Sequence, residues 1–258
     1  MTDFVTAQDD VRIAYERVGE GRPILLIHGI ISSRIVNWRD PGWYGALTQA
    51  GFSVIAMDCR GHGESDKPHD EAAYDHDVMA QDALAVLAAC DVPVADVMGY
   101  SMGGFISVHL LMAYPQVINR AILGGVGGTY LGENAAGTMA DPATRALVAD
   151  ALLLDDPSAI TNPVAKTFRA FADQGGKDKI ALAACMRAMR YPYGAAQLVD
   201  STRPVLVVAG EKDTVAGPPG TLAAAFSDGR AVTVPRRDHM TTVGDRTYKN
   251  AVLEFLAN

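Results

Sequence analysis

The chain has 258 residues, 49% of them hydrophobic and 20% charged, which predicts one large α/β domain rather than a disordered or low-complexity protein. A formal net charge of −8 offers little attraction to phosphate backbones, so nucleic-acid binding is not expected. The longest apolar runs are strand-length and the first ten residues hold no secretory signal, so we expect a cytoplasmic protein without a membrane partner.

Short apolar runs alternate with longer helical patterns through the first half of the chain. This alternation is typical of βαβ units and predicts a mostly parallel sheet flanked by helices. The predicted strands are 12–18, 23–27, 53–57, 96–100 and 120–126. The predicted helices are 38–50, 73–89 and 102–113, the first ended by Gly51 and the last by Pro115.

The rhythm changes between residues 130 and 200, where helical patterns follow one another without a strand. These patterns cover 141–154, 159–172 and 177–190, before strands return at 204–209 and 231–234 with helices at 219–226 and at the end of the chain. An all-helical insertion between core strands predicts a cap over 130–200. The α/β core is then predicted to comprise 1–129 and 201–258.

The sequence GYSMG at residues 99–103 has the G-x-S-x-G pattern and lies between a predicted strand and a predicted helix. In that context the serine occupies a strained strand-to-helix turn, and the flanking glycines avoid side-chain clashes. The N-terminus of the following helix points free N–H groups toward developing negative charge. Ser101 is therefore the predicted nucleophile.

A nucleophilic serine needs a base, and with this motif an acid and then a histidine follow it along the chain. Only two histidines follow Ser101, and His109 lies within the next helix, where we expect a packing role. His239 follows the last predicted strand and is the predicted general base. Asp213, after strand 204–209, is the predicted acid, with Glu211 as its nearest rival; Asp238 adjoins His239 too closely in sequence to face it.

An oxyanion hole requires two donors that point at the tetrahedral oxygen. The backbone N–H of Met102, directly after the nucleophile, is the first candidate. The second is the N–H of Ile30, in the loop that follows strand 23–27. His28 in that loop is predicted to brace it by hydrogen bonding rather than to react.

Several motifs together resemble those of the α/β-hydrolase fold superfamily along nearly the whole chain. They are HGII from residue 28 with the Ser32-Ser33 and Asn37-Trp38 pairs after it, DCRGHGES from 58, GYSMGG from 99, GEKD from 210 and DHM from 238. The resemblance implies a catalytic triad of Ser101, Asp213 and His239. It also implies that the loop at 58–65, despite Arg60, His62 and Glu64, has a structural role.

The same resemblance narrows the reaction class. A serine at the nucleophile position sets aside haloalkane dehalogenases and epoxide hydrolases, HGII differs from the HGGG of hormone-sensitive-lipase relatives, and GYSMG differs from the GGSWG of proline iminopeptidases. Carboxylesterases, C–C bond hydrolases and haloperoxidase-like esterases without a cofactor remain. Haloperoxidase-like members usually have a proline soon after the His-Gly pair, and this loop has none.

The sequence therefore predicts a hydrolase of small to moderate carboxylic esters, acting on a small-molecule substrate without a metal or other cofactor. A C–C hydrolase or lactonase with the same triad, or a slow receptor on the same fold, stays open. The cysteines Cys59, Cys90 and Cys185 are expected to be buried thiols. Met102 and the Tyr191-Pro192-Tyr193 run are either pocket-lining or packing residues, and Arg187 and Arg190 are ambiguous candidates for binding a carboxylate.

Overall fold

The computed structural model describes residues 1–190 and 193–258, and its centre is one eight-stranded sheet. The strands are β1 (Asp3–Thr6), β2 (Arg12–Val18), β3 (Arg22–Ile27), β4 (Phe52–Met57), β5 (Ala95–Tyr100), β6 (Ile118–Gly124), β7 (Val205–Gly210) and β8 (Gly229–Val234). Their order is β1-β2-β4-β3-β5-β6-β7-β8, and only the β1–β2 and β2–β4 pairs are antiparallel. The predicted mostly parallel sheet is confirmed.

The helices flank this sheet and fill the insertion between β6 and β7. They are α1 (Trp43–Gln49), α2 (His76–Ala89), α3 (Met102–Ala113), α4 (Pro142–Leu153), α5 (Pro163–Ala172), α6 (Lys179–Ala188), α7 (Ala195–Leu198), α8 (Pro219–Ala223) and α9 (Arg246–Ala257). Among the residues that the structure describes, no helix is both long enough and apolar enough to cross a membrane.

One predicted helix, 38–50, is wrong because two helical segments replace it. A π-helical turn covers Ile35–Arg39, and α1 begins only at Trp43. Gly42 between them has a φ of 81°, a left-handed conformation that an α-helix cannot continue through. Pro41 lacks the N–H that an uninterrupted helix would use.

The sequence prediction also missed β1. This four-residue strand is mostly exposed and lies at the edge of the sheet, where it pairs with β2. Because an edge strand is paired on one side only, it needs no continuous apolar run, and the polar sequence around Asp3 carries no such signal.

The central strands are buried on both faces of the sheet. Every residue of β4, β5 and β7 is buried, and separate hydrophobic clusters lie on the two sides. Because β3, β5, β7 and β8 are parallel, the loops after all four emerge at the same edge. That edge is where ligands bind in open parallel sheets.

The insertion between β6 and β7 is helical, and no strand occurs in the part of 125–204 that the structure describes. Helix α4 packs against α5 and α6. The buried Sγ of Cys185 in α6 lies 3.7 Å from the Sδ of Met102, so α6 packs onto the start of α3. The division into a core of 1–129 and 201–258 and a cap of 130–200 stays a prediction.

Candidate active site

Ser101 occupies a strained turn between β5 and α3. Its φ of 52° and ψ of −115° lie in a region that residues with a side chain rarely adopt, and its N–H donates to the Gly124 carbonyl at 2.8 Å. Glycine is required at both flanking positions of the motif because the neighbouring backbone lies too close to leave room for a Cβ. A Cβ on Gly99 would lie 2.0 Å from the Gly103 carbonyl oxygen, and a Cβ on Gly103 would lie 2.0 Å from that of Ile27.

Three predicted side chains meet in one hydrogen-bonded chain. The Ser101 hydroxyl lies 3.0 Å from His239 Nε2, in position to donate to it. On the other side of the ring, His239 Nδ1 lies 2.9 Å from Asp213 Oδ2 and 3.1 Å from Oδ1. This arrangement places the proton of a neutral His239 on Nδ1 and leaves Nε2 free to accept the serine proton.

The buried Asp213 carboxylate is held in place by backbone donors. Its Oδ1 also accepts from the N–H groups of Val215 and Ala216, at 3.0 and 2.9 Å. The rival Glu211 instead accepts from the Arg236 N–H, and Asp238 accepts within its own turn. Of these three carboxylates, Asp213 is the one that contacts the imidazole.

The two backbone N–H groups predicted to form an oxyanion hole belong to Ile30, in the loop beside Ser101, and to Met102, which directly follows it. Among the described residues, neither the Ile30 nor the Met102 N–H donates to another protein atom, which leaves both free for a ligand. The Ile30 loop lies directly against the nucleophile, since a Cβ on Gly29 would be 3.3 Å from the Cβ of Ser101. The geometry therefore suits the predicted pair of donors.

His28 and His62 hold the loop that contains Ile30 in place through hydrogen bonds between their rings and backbone N–H groups. The Cys59 N–H donates to His28 Nε2 at 3.0 Å, and the Ile31 N–H donates to His62 Nε2 at 3.0 Å. Both Nδ1 atoms lie within 2.9 Å of carbonyl oxygens, so each ring is neutral with its proton on Nδ1. Burial lowers the pKa of His28 to about 4, and burial together with the neighbouring His28 lowers the pKa of His62 to about 3.

The charged side chains of the loop at 58–65 contact other parts of the chain, which is consistent with the structural role expected for it. Arg60 is buried and pairs with Asp82 through two hydrogen bonds of 2.7 Å. Glu64 and Asp58 both contact the buried Arg34. His109 likewise packs, bonded to Asp77 at 2.9 Å.

Sequence reasoning gave no role in the site to two residues, Tyr100 and Asn37. The Tyr100 hydroxyl donates to the His239 backbone carbonyl at 2.6 Å, and burial holds its pKa well above the ordinary value, so it remains a donor. Asn37 Oδ1 accepts from the Gly29 N–H at 3.1 Å, and its buried Nδ2 has no partner among the described residues. Tyr100 occupies a motif position that any residue can fill, so the motif gave no signal for it.

A cavity of about 150 Å³ opens beside Ser101 and His239. We call it the serine cavity; its lining is mostly apolar and includes Ile30, Val36, Phe168, Phe171, Met240 and Val243. An apolar cavity of this size suits a short hydrocarbon group next to the reacting carbonyl.

The other described residues that the sequence offered as pocket-lining or carboxylate-binding are not in the lining of the serine cavity. Met102 is buried against Cys185, and Tyr193 bonds to His109 at 3.0 Å, whereas Tyr191 and Pro192 lie outside the described residues. Arg187 pairs with Asp150, and Arg190 donates to backbone carbonyls. In the parts of the chain that are described, no three His, Cys, Asp or Glu side chains gather to hold a metal ion, and all three cysteines are free and buried.

Comparisons with known proteins agree with this architecture. The profile of the alpha/beta hydrolase fold family matches residues 22–169. The chain is 32% identical over 112 residues to the AB hydrolase superfamily protein YisY of Bacillus subtilis, a match that covers 43% of this chain and 40% of YisY. It is 35% identical over 112 residues to the 2-hydroxymuconate semialdehyde hydrolase of Pseudomonas sp. strain CF600, covering 43% of this chain and 38% of that protein.

The match to these curated relatives thus spans well under half of their length. The crystal structure of a hydrolase from Pseudomonas aeruginosa PA01 extends the similarity to the whole chain. It has 27% sequence identity and a TM-score of 0.75, and the alignment covers 100% of this chain and 98% of the other.

Proposed function

The chain belongs to the alpha/beta hydrolase fold family, and within it we propose a serine hydrolase that cleaves carboxylic esters of small to moderate acyl groups. The observation that carries the proposal is the continuous hydrogen-bonded chain from Ser101 through His239 to Asp213, beside an apolar cavity. We assign these residues as nucleophile, base and orienting acid.

In the first half of the reaction, Ser101 Oγ attacks the ester carbonyl carbon while His239 Nε2 takes the hydroxyl proton. The carbonyl oxygen becomes an oxyanion, stabilised by the N–H groups of Ile30 and Met102. When the tetrahedral intermediate collapses, the bond to the alkoxy oxygen breaks. His239 returns its proton to that oxygen, and the alcohol leaves.

The second half repeats these steps with water as the nucleophile. His239 deprotonates the water, and hydroxide adds to the acyl carbon. The bond to Ser101 Oγ then breaks, His239 gives its proton to that oxygen, and the carboxylic acid leaves. Throughout both halves the fixed Asp213 carboxylate orients the ring and stabilises its protonated form. Ester hydrolysis thus requires only the groups already present in the site.

C–C bond hydrolysis by the same triad is a second candidate, favoured by the similarity to 2-hydroxymuconate semialdehyde hydrolase. A lactonase would use the same attack on a cyclic ester. The alternative to an enzyme is a small-molecule receptor that has the hydrolase fold and turns its ligand over slowly. These alternatives differ in substrate or in rate, so kinetics can separate them.

A panel of straight-chain p-nitrophenyl esters, with a ring-fission dienone as the C–C substrate, tests the proposal. We expect fast turnover of short acyl esters and a decline for long ones. Ser101→Ala should lower kcat by about 10⁴–10⁶, with an unchanged thermal unfolding transition as the folding control. Faster cleavage of the dienone than of every ester would favour the C–C candidate, and only slow turnover of all of them would favour the receptor.

A further inference from the structure

A second cavity of about 340 Å³ adjoins the serine cavity. We call it the lysine cavity, because Lys67 from the core and Lys177 from the helical insertion both line it, together with Ser33, Gln174 and Gly176. Ser32, Val36 and Phe171 line both cavities, so the two spaces share a wall. A substrate anchored at Ser101 could extend from one into the other.

The two lysines bring positive charge to this cavity. Neither ammonium has a carboxylate within ion-pairing distance among the described residues, although Asp66, next to Lys67 in the chain, interacts with its charge. Lys67 Nζ donates to the carbonyls of Gly63 and Ser65, at 2.9 and 2.8 Å. Lys177 Nζ donates to those of Phe171 and Gln174, both at 2.8 Å. An ammonium group has three protons, so each lysine keeps one donor for a ligand.

No carboxylate pairs with either ammonium among the residues that the structure describes. The one carboxylate in the lining, Asp178, is already engaged: it caps α6 through Ile180 and Ala181 and pairs with His69 at 3.0 Å. The lining thus holds two half-buried lysines and the single carboxylate of Asp178, which leaves an excess of positive charge.

Lys177 also lies next to the shared wall. Its Nζ is 4.4 Å from the centre of the Phe171 ring, which lines both cavities. Partial burial lowers its pKa, because the charged form has lost part of its hydration. A negatively charged group in the cavity would compensate for that loss.

The lining residues also indicate which half of the ester faces the lysines. His239, Met240 and Val243 line the serine cavity but not the lysine cavity. Because the proposed mechanism has His239 protonate the departing alcohol, we place the alcohol on the His239 side of the serine. The acyl half then lies toward Val36 and Phe171, where the lysine cavity begins.

We propose that the lysine cavity binds a carboxylate at the far end of the acyl chain, so that half-esters of dicarboxylic acids are preferred substrates. This inference rests on the proposed ester hydrolysis and specifies its substrate class. Hydrolysis of such a half-ester consumes one water and releases the alcohol and the dicarboxylic acid. The serine cavity would hold the hydrocarbon spacer between the two carbonyl carbons.

The test compares monoethyl esters of linear dicarboxylic acids, over a range of spacer lengths, with ethyl esters of monocarboxylic acids of the same length. Proton release in a pH-stat gives kcat/KM for each. We expect an acidic half-ester of favourable length to exceed its neutral counterpart by about tenfold or more, and added salt to reduce this preference. Equal or lower kcat/KM for all half-esters would overturn the proposal.

Substitutions identify the groups responsible. Lys67→Gln and Lys177→Gln should each reduce the acidic-to-neutral preference about 3- to 10-fold, mainly through KM, because each removes one charge near the carboxylate. Lys177→Arg should retain most of the preference. Lys179→Gln is the matched control, since Lys179 pairs with Asp173 and does not line the cavity.

The outcomes distinguish a failure of the proposed ester hydrolysis from a failure of carboxylate binding in the lysine cavity. If no ester is hydrolysed, the proposed function fails. If neutral esters are hydrolysed but the preference is absent, or unchanged in both glutamine variants, the inference about the lysine cavity fails alone. Should one variant not fold, turnover of neutral esters will reveal it, and the other lysine variant still decides.

Discussion

Acidification should destabilise the fold through the buried histidines His28 and His62. Both are neutral and use Nε2 as an acceptor, for the N–H groups of Cys59 and Ile31. Protonation would convert each acceptor into a donor that faces an N–H group. It would also place two positive charges on rings whose centres are 5.1 Å apart.

The direction and size of the change in unfolding free energy follow from the lowered pKa values, about 4 for His28 and about 3 for His62. An unfolded histidine titrates near pH ~6.5. Between that pH and the folded pKa values, the unfolded chain therefore binds more protons than the folded chain. The stabilisation is therefore complete above that pH and is lost as the pH falls toward the folded values. Between about pH 7 and about pH 4.5, each histidine should remove about 2–3 kcal/mol from the free energy of unfolding.

Urea unfolding at those two pH values measures this loss directly. In His62→Gln the amide oxygen can still accept the Ile31 N–H, but the titrating group is gone. The difference in unfolding free energy between the two pH values should shrink by about 2–3 kcal/mol relative to the unsubstituted chain. An undiminished pH dependence in His62→Gln would refute the reasoning.

Three further predictions concern the candidate active site and the backbone packing that supports it. Asp213→Asn should lower kcat by about 10⁴ without unfolding the protein, because the amide cannot hold the reactive imidazole tautomer; steady-state kinetics and circular dichroism check this. Gly103→Ala should cost about 3 kcal/mol or more in urea unfolding, since its Cβ would lie 2.0 Å from the Ile27 carbonyl oxygen, whereas Gly45→Ala, on an open helix face, should stabilise by about 0.5–1 kcal/mol. Phe168→Ala should enlarge the serine cavity and shift the preferred acyl length upward in the ester panel, and an unchanged optimum would contradict its placement in the lining.

The sequence predicted most of the sheet and named the three side chains that the fold joins by hydrogen bonds, Ser101, His239 and Asp213, because both depend on local signals. Apolar runs identify buried strands, and Ser101 lies in a motif whose neighbours are fixed by close packing. The break before α1 could also have been predicted, since Pro41 and Gly42 both oppose a continuous helix. The polar edge strand β1, by contrast, has no local signal.

Contacts between distant segments could not be predicted from one sequence. The bond from Tyr100 to the His239 carbonyl joins residues 139 positions apart. The lysine cavity likewise forms where the loop containing Lys67 meets the insertion containing Lys177. Each side chain alone resembles an ordinary surface lysine, and only the folded chain brings them to the same space.

The separation of Ser101 and His239 along the chain, 138 residues, also has a kinetic consequence. Ser101 lies between β5 and α3, whereas Asp213 and His239 follow β7 and β8, which pair only after the helical insertion has been bridged. Such distant pairings form slowly, because the intervening loop must close before any contact rewards it. Recovery of the proposed esterase activity during refolding would therefore report completion of the last strands, after helical signals have already returned.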